Sequence, residues 1–254
     1  MDKPTTEICT HTLTSMNYRD QDLVEDLLGK RTFSEVMFMQ IMAREPRAVD
    51  MRILDAVLIT LMEHGLTPSA IATRMIYMSA PENLQGAVSA GLLAVGSQFV
   101  GTMENNAQLL DQIIAADDQA AKAREIVLGI KAAKTHLPGF GHHLHKPDDP
   151  RTIKLLALAD AEPELPGTYV KALRLLSQTI DEIYGKHITI NATGATAALL
   201  GEIGVPSTIM RGFAVISRAA GLVSHIAEEQ KSPAGRYIWD KIDHDIPYVK
   251  TPLK

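Results

Sequence analysis

Pro138-Gly-Phe-Gly-His-His-Leu-His-Lys-Pro-Asp-Asp-Pro-Arg151 stands apart from the rest of this chain. Two glycines, three histidines, three prolines, a lysine and an arginine crowd together there, while the surrounding sequence is plain helix-forming material. The glycines flanking Phe140 permit a tight turn that brings backbone close to a ligand. His142, His143 and His145 are titratable near neutral pH, and Arg151 carries the planar fork that grips a carboxylate at two points. On this stretch alone, a solvated polar turn between two helices explains the residues equally well.

Working outward, the composition points to helices. The chain has 254 residues, of which 46% are hydrophobic but only 5% aromatic, so the core is built from Ala, Leu, Ile, Val and Met. Such residues favour closely packed helices over a sheet. The length suits one large domain, or one with a small lobe. A net charge of −5 argues against a nucleic-acid partner, which needs a concentrated basic face. The single Cys9 excludes an intrachain disulfide and a Cys-based zinc cluster, and it fits a reducing compartment. No signal-peptide core opens the sequence, so the expectation is a soluble cytoplasmic protein. The uncharged run between Glu82 and Glu104 contains Asn83, Gln85, Ser89, Ser97 and Gln98. It reads as a tightly packed buried helix, not a membrane span.

Along the chain, residues 1–19 are polar and expected to be extended. Helical periodicity begins near Asp20 and ends at Gly29. Further helices are expected at 32–44, 48–64 and from 67 on, then as one long small-residue helix from Ala80. The pattern continues at 101–115, 117–134, 150–160, 168–184, 193–203 and 206–229. The only β-leaning run, Lys186–Asn191, is too short to anchor a sheet. The fold class is all-α, with a dozen or so helices.

Three spots place polar or ionisable groups at helix boundaries in apolar surroundings: Glu63-His64-Gly65, the Gly-Phe-Gly-His turn, and Asn191-Ala-Thr-Gly194. Helix caps account for the first and third as isolated features. A metal is not expected. Adjacent histidines rarely converge on one ion, and no Asp, Glu or Cys at helix spacing completes a ligand set. The chain lacks Gly-x-Ser-x-Gly, and its glycine turn matches neither the P-loop nor the dinucleotide fingerprint.

Taken in order, these spots resemble the citrate synthase superfamily, and within it the short citryl-CoA lyase type. Four segments carry the likeness: Tyr18–Leu28 through Phe33-Ser-Glu-Val36; Glu63-His-Gly-Leu-Thr-Pro-Ser69; Gly139-Phe-Gly-His142 through Asp149-Pro-Arg151; and Ser217-Arg218 through Gln230. The resemblance implies a multi-helix fold over 1–254, with a large helical domain and a smaller lobe at roughly 136–205. It implies an obligate homodimer or higher homo-oligomer, and an acyl-CoA thioester and a 2-oxo or dicarboxylic acid as small-molecule partners.

The same resemblance assigns roles. His64 would hydrogen-bond the thioester oxygen, and His142 would protonate the carbonyl under attack or take the alcohol proton in cleavage. Arg151 and Arg218 would hold the dicarboxylate, with Lys231 or Arg236 standing in for an arginine from a second subunit. Gly139, Phe140 and Gly141 would face coenzyme A, and Lys186 would meet its phosphates. The departure is at the catalytic Asp. Asn191 and Pro206 keep the family's fifteen-residue offset, which puts Thr193 where the base belongs. A threonine hydroxyl is no base near pH 7. Glu63 also stands where an Asp usually precedes the first histidine. Cleavage of a citryl-CoA-like thioester is therefore expected. The alternatives are a condensation activated by decarboxylation, or a non-catalytic acyl-CoA and dicarboxylate binder.

Overall fold

The computed structural model describes residues 3–96 and 100–251. Ser97 and Gln98, counted above in the uncharged run, lie outside the described residues. Eleven α-helices are described: α1 Phe33–Met42, α2 Ala48–Met62, α3 Pro68–Ser79, α4 Leu84–Leu93, α5 Thr102–Ile114, α6 Gln119–Ala133, α7 Pro150–Asp160, α8 Thr168–Tyr184, α9 Ala192–Glu202, α10 Met210–Glu229 and α11 Gly235–Asp245. Among the described residues, no helix is long and apolar enough to cross a membrane.

Three expectations need correction. Residues 3–19 are largely extended as expected, but they also pair: β1 Cys9–His11, β2 Met16–Tyr18 and β3 Gln21–Asp22, the last inside the stretch expected to be helical from Asp20, form a small antiparallel sheet. Arg19 ties it down, donating to Met39 O and Gln40 O at the open end of α1. Such polar two- and three-residue strands show no alternation to read. The long helix expected from Ala80 is only α4. Asn83 caps its start, accepting from Gly86 N, and of its ten residues only Ala87 and Gly91 are buried. Helix α11 was not anticipated. It is polar on average and almost wholly exposed, with Tyr237, Trp239 and Ile242 as its apolar side chains turned to solvent.

Helix α9 is the centre of the molecule. Every residue from Gly194 to Glu202 is buried, and α2, α5, α7 and α8 pack around it. Its small residues allow this crowding: a Cβ at Gly201 would meet the Tyr169 ring at 2.4 Å. Leu199, Leu200, Leu110, Leu173, Ile53 and Phe213 belong to one continuous apolar cluster. Trimming Leu199 to Ala costs about 2–5 kcal/mol in such surroundings. At the far end of α9 the buried Glu202 carboxylate accepts from Gly167 N and Val170 N, which closes the start of α8. The near end of α9, at Asn191, faces the Gly-Phe-Gly turn.

Candidate active site

The turn at 139–141 is fixed by α9 and by the extended segment before it. Gly139 and Gly141 adopt φ of +80° and +79°, which side-chain-bearing residues resist. A Cβ at Gly139 would also lie 2.9 Å from Gly194 Cα. Gly139 O accepts from Asn191 N (3.0 Å), Gly141 N donates to Thr189 O (2.7 Å), and Gly141 O accepts from Asn191 Nδ2 (3.0 Å). Phe140 N donates to Leu137 O, and the Phe140 ring is buried in the core. The N–H groups of Phe140 and Gly141 are therefore spent inside the protein. Only the surface of this turn is left to meet a ligand.

Beyond the turn, the histidines gather. His64, just past the end of α2, comes to the arm that carries His142 and His145, and one ring nitrogen from each of the three lies within 4.8 Å of the others. The His142 ring centroid is 5.7 Å from that of His64 and 4.4 Å from that of His145. His143 stacks on the outer side of His142 at 4.8 Å and is exposed.

His142 Nδ1 accepts two backbone hydrogen bonds, from Leu144 N (3.1 Å) and His145 N (3.0 Å). That fixes the neutral tautomer with its proton on Nε2. Burial, with His145 and Arg151 adding to it, pushes the His142 pKa down to about 4. The ring is thus neutral at pH 7 and presents a donor, where the sequence reading expects an acceptor of the substrate's hydroxyl proton. His64 is also lowered, by burial first and then by Arg151.

Arg151 is aimed at this donor. Asp149 caps α7 through Arg151 N and holds the guanidinium at 2.7–3.0 Å. Arg151 Nη2 then sits 3.4 Å from His142 Nε2. Two donors side by side define a place for one oxygen that accepts from both. From the other side comes Arg218 on α10, which is only 4% exposed, with Nε and Nη1 lacking hydrogen-bond partners. Its nearest carboxylate oxygen is Glu63 Oε1, 3.9 Å from Nη1. A buried arginine so poorly matched inside the protein is costly unless a ligand anion completes it.

Glu63 organises this side. It accepts from His64 N (2.8 Å) and lies 3.0 Å from His225 Nε2. Burial opposes its ionisation, but His225, the His64 N–H and Arg218 together keep its carboxyl below the usual range. Behind it, Arg74 donates to His225 Nδ1 (2.9 Å) and to Glu229 (2.7 Å), and it also pairs with Glu228.

Thr193 closes the site at α9. Its hydroxyl donates to Asn191 Oδ1 (2.6 Å) and is 2.8 Å from Thr102 Oγ1. The cap on α9 is thus two hydroxyls and an amide, with no carboxylate among these groups.

The structure brings together His64, His142, Arg151 and Arg218. Thr193 stands on the turn's other flank, joined through Asn191. Lys231 and Arg236 are exposed near α11, and Arg236 pairs with Asp240 (3.1 Å) and lies over the Trp239 ring (4.8 Å). Among the described residues no contact joins either to the histidines. Lys186 is exposed beyond α8. Sequence reasoning missed Thr102, His225 and Arg74, which act across 91 to 151 residues of chain and carry no local signal.

Three converging imidazoles also form a donor set for a transition metal, and His64 is the third donor the linear sequence did not show. The fit is poor. His142 turns a proton, not a lone pair, toward the cluster, and Arg151 adds positive charge beside it.

With this geometry in view, the comparisons define the class. Residues 5–239 match the family described as citrate synthase, C-terminal domain, and the chain belongs to that family. The fold agrees. The structure of citryl-CoA lyase from Hydrogenobacter thermophilus superposes with a TM-score of 0.86 at 28% identity, covering 98% of this chain and 96% of that one. A Methanosaeta concilii ATP citrate lyase variant in complex with (3S)-citryl-CoA superposes at 0.76 and 20% identity, covering 99% of this chain and 43% of that one. The probable ATP-citrate synthase subunit 1 of Neurospora crassa is 24% identical over 217 residues, 79% of this chain. The chain spans about a third (32%) of that relative's length.

Proposed function

We propose that this protein is a CoA-dependent carbon–carbon lyase that cleaves a citryl-CoA-like 3-hydroxyacyl thioester to an acyl-CoA and a 2-oxo acid. The observation that carries this reading is the asymmetry of the site: paired donors for an oxygen and a carboxylate at one end, and no base at the other. Arg218 and Arg151 take the carboxylates, and His142 Nε2–H with Arg151 holds the oxygen that becomes the keto group. The hydroxyl proton passes to another imidazole of the cluster, for which His145 is placed. The carbon–carbon bond breaks toward the acyl group, and its electron pair forms the thioester enolate, stabilised by His64. Protonation of the enolate carbon from the same imidazolium or from water completes the step, so no carboxylate base is needed at Thr193.

Coenzyme A would lie over the surface of Gly139–Gly141, with Lys186 near its phosphates. The segment 136–205 would form the smaller lobe, and a second copy of the chain would supply Lys231 or Arg236. Exposed Tyr237, Trp239, Ile242 and Ile246 on and after α11 support such pairing. A cytoplasmic location, where acyl-CoA is available, completes the reading.

The test supplies (3S)-citryl-CoA and follows oxaloacetate through a coupled reduction, alongside solvent-deuterium exchange into acetyl-CoA alone. Oxaloacetate release with little methyl exchange is expected. Absence of oxaloacetate, or exchange that outpaces cleavage, overturns the assignment. The missing base equally suits a nucleophile made by decarboxylation, and turnover of malonyl-CoA where citryl-CoA fails would favour that reading.

A further inference from the structure

The arm that carries His142 and Arg151 is held by the segment 187–191, which runs beside it. Thr189 Oγ1 donates to Pro147 O, Thr189 O accepts from Gly141 N (2.7 Å), and Asn191 binds Gly139 and Gly141. None of these ties titrates near neutral pH. His187 makes one that does. Its Nδ1 is 2.6 Å from Asp181 Oδ2 at the end of α8, and its Nε2 is 3.0 Å from Asp148 Oδ1 on the arm. A neutral imidazole has one N–H, so only the imidazolium donates to both carboxylates. Asp148 adjoins Asp149, which holds Arg151.

We propose that His187 is a positioning residue whose protonation latches the arm to α8, so that acid-to-neutral pH holds Asp148, Asp149 and Arg151 in binding geometry and alkaline pH releases them. The charged groups that face the ring are Asp181 from α8 and Asp148 from the arm; Lys186 precedes it in the chain. Asp181 also accepts from Ile188 N (2.8 Å), which keeps one end of the latch fixed while the other opens. Hydrogen bonds to Asp181 and then Asp148 raise the His187 pKa. The sign follows: the latch is complete below the ordinary histidine value and is lost as pH rises through the raised one. All three side chains are partly exposed, so the effect is modest, about three- to fivefold on an equilibrium. Its consequence for substrate rests on the reading of the arm given above.

The experiment measures hydrogen exchange over residues 139–148 at pH 6 and pH 9, corrected for intrinsic rates, in the full chain and in the His187→Gln and His187→Arg variants. KM for citryl-CoA is determined in parallel. The native arm should exchange about three- to fivefold faster at pH 9 than at pH 6. His187→Gln should be fast at both. His187→Arg, with two donors and a permanent charge, should be slow at both. Equal exchange at the two pH values in the native chain, or a His187→Gln arm that behaves as native, overturns the latch. Exchange that follows this pattern while KM does not confirms the latch and refutes the arm as the substrate-binding element.

Discussion

The two flanks of the Gly-Phe-Gly turn make opposite kinds of chemistry. On the arm flank, His142 and Arg151 set two donors side by side, and Arg218 keeps Nε and Nη1 without hydrogen-bond partners, with Glu63 no nearer than 3.9 Å. On the α9 flank, Thr193, Thr102 and Asn191 satisfy one another with neutral groups. The first flank stores unmet electrostatic demand, which substrate oxygens can satisfy; the second is a finished structural cap. A site built this way stabilises charge that appears on oxygen and has no carboxylate at Thr193 to withdraw a proton from carbon.

The largest effect should come from breaking the unsatisfied flank. Arg218→Met should lower kcat/KM for citryl-CoA by about 30- to 5,000-fold, the range for removing one partner of a buried charge pair. The melting temperature should hold or rise, because the free protein leaves Arg218 poorly paired. Activity within fivefold of native would show that the substrate carboxylate binds elsewhere. His142→Ala should cost about 100- to 1,000-fold in kcat, as for loss of one oxyanion donor. A change confined to KM would contradict its role at the reacting oxygen.

The finished flank should respond less. Thr193→Ala should reduce cleavage by under about tenfold, the worth of one hydroxyl hydrogen bond. Thr193→Asp should instead raise deuterium exchange into the acetyl-CoA methyl by about 100-fold, the low end for a positioned general base. No gain in exchange, measured by proton NMR, would place the α-carbon away from residue 193.

The smallest signature is in pH. With His142 held neutral down to about pH 4, the NMR shifts of its own imidazole should show no step at the ordinary histidine value, about 6.5. A sigmoidal change of those shifts centred there would mean that the His142 ring titrates freely. The same group makes the fold less stable as pH falls from about 6.5 toward 4, since the unfolded chain takes up a proton that the folded one refuses.

Much of this was legible in the sequence, for specific reasons. Helices α5 to α10 follow apolar periodicity or plain helix propensity, and their ends carry readable signals such as Asp118, Asp149-Pro150 and Asn191. The sheet at 9–22 was not legible, because its strands are two or three residues long, polar and not buried. Helix α11 does carry an amphipathic pattern, but one that ends on exposed side chains and not in the core.

What the sequence alone determined was the inventory: a helical, low-aromatic chain, a glycine turn with histidines, and a threonine at a fixed offset from Pro206. Tertiary structure decided how those groups act. The proton on His142 Nε2 follows from two backbone N–H groups, the want of partners on Arg218 from its burial, and the hydrogen bonding of the Thr193 hydroxyl from Asn191 and from Thr102 on another helix. Each depends on distances between residues far apart in the chain, and protonation and charge respond to those distances and to burial, not to order along the backbone.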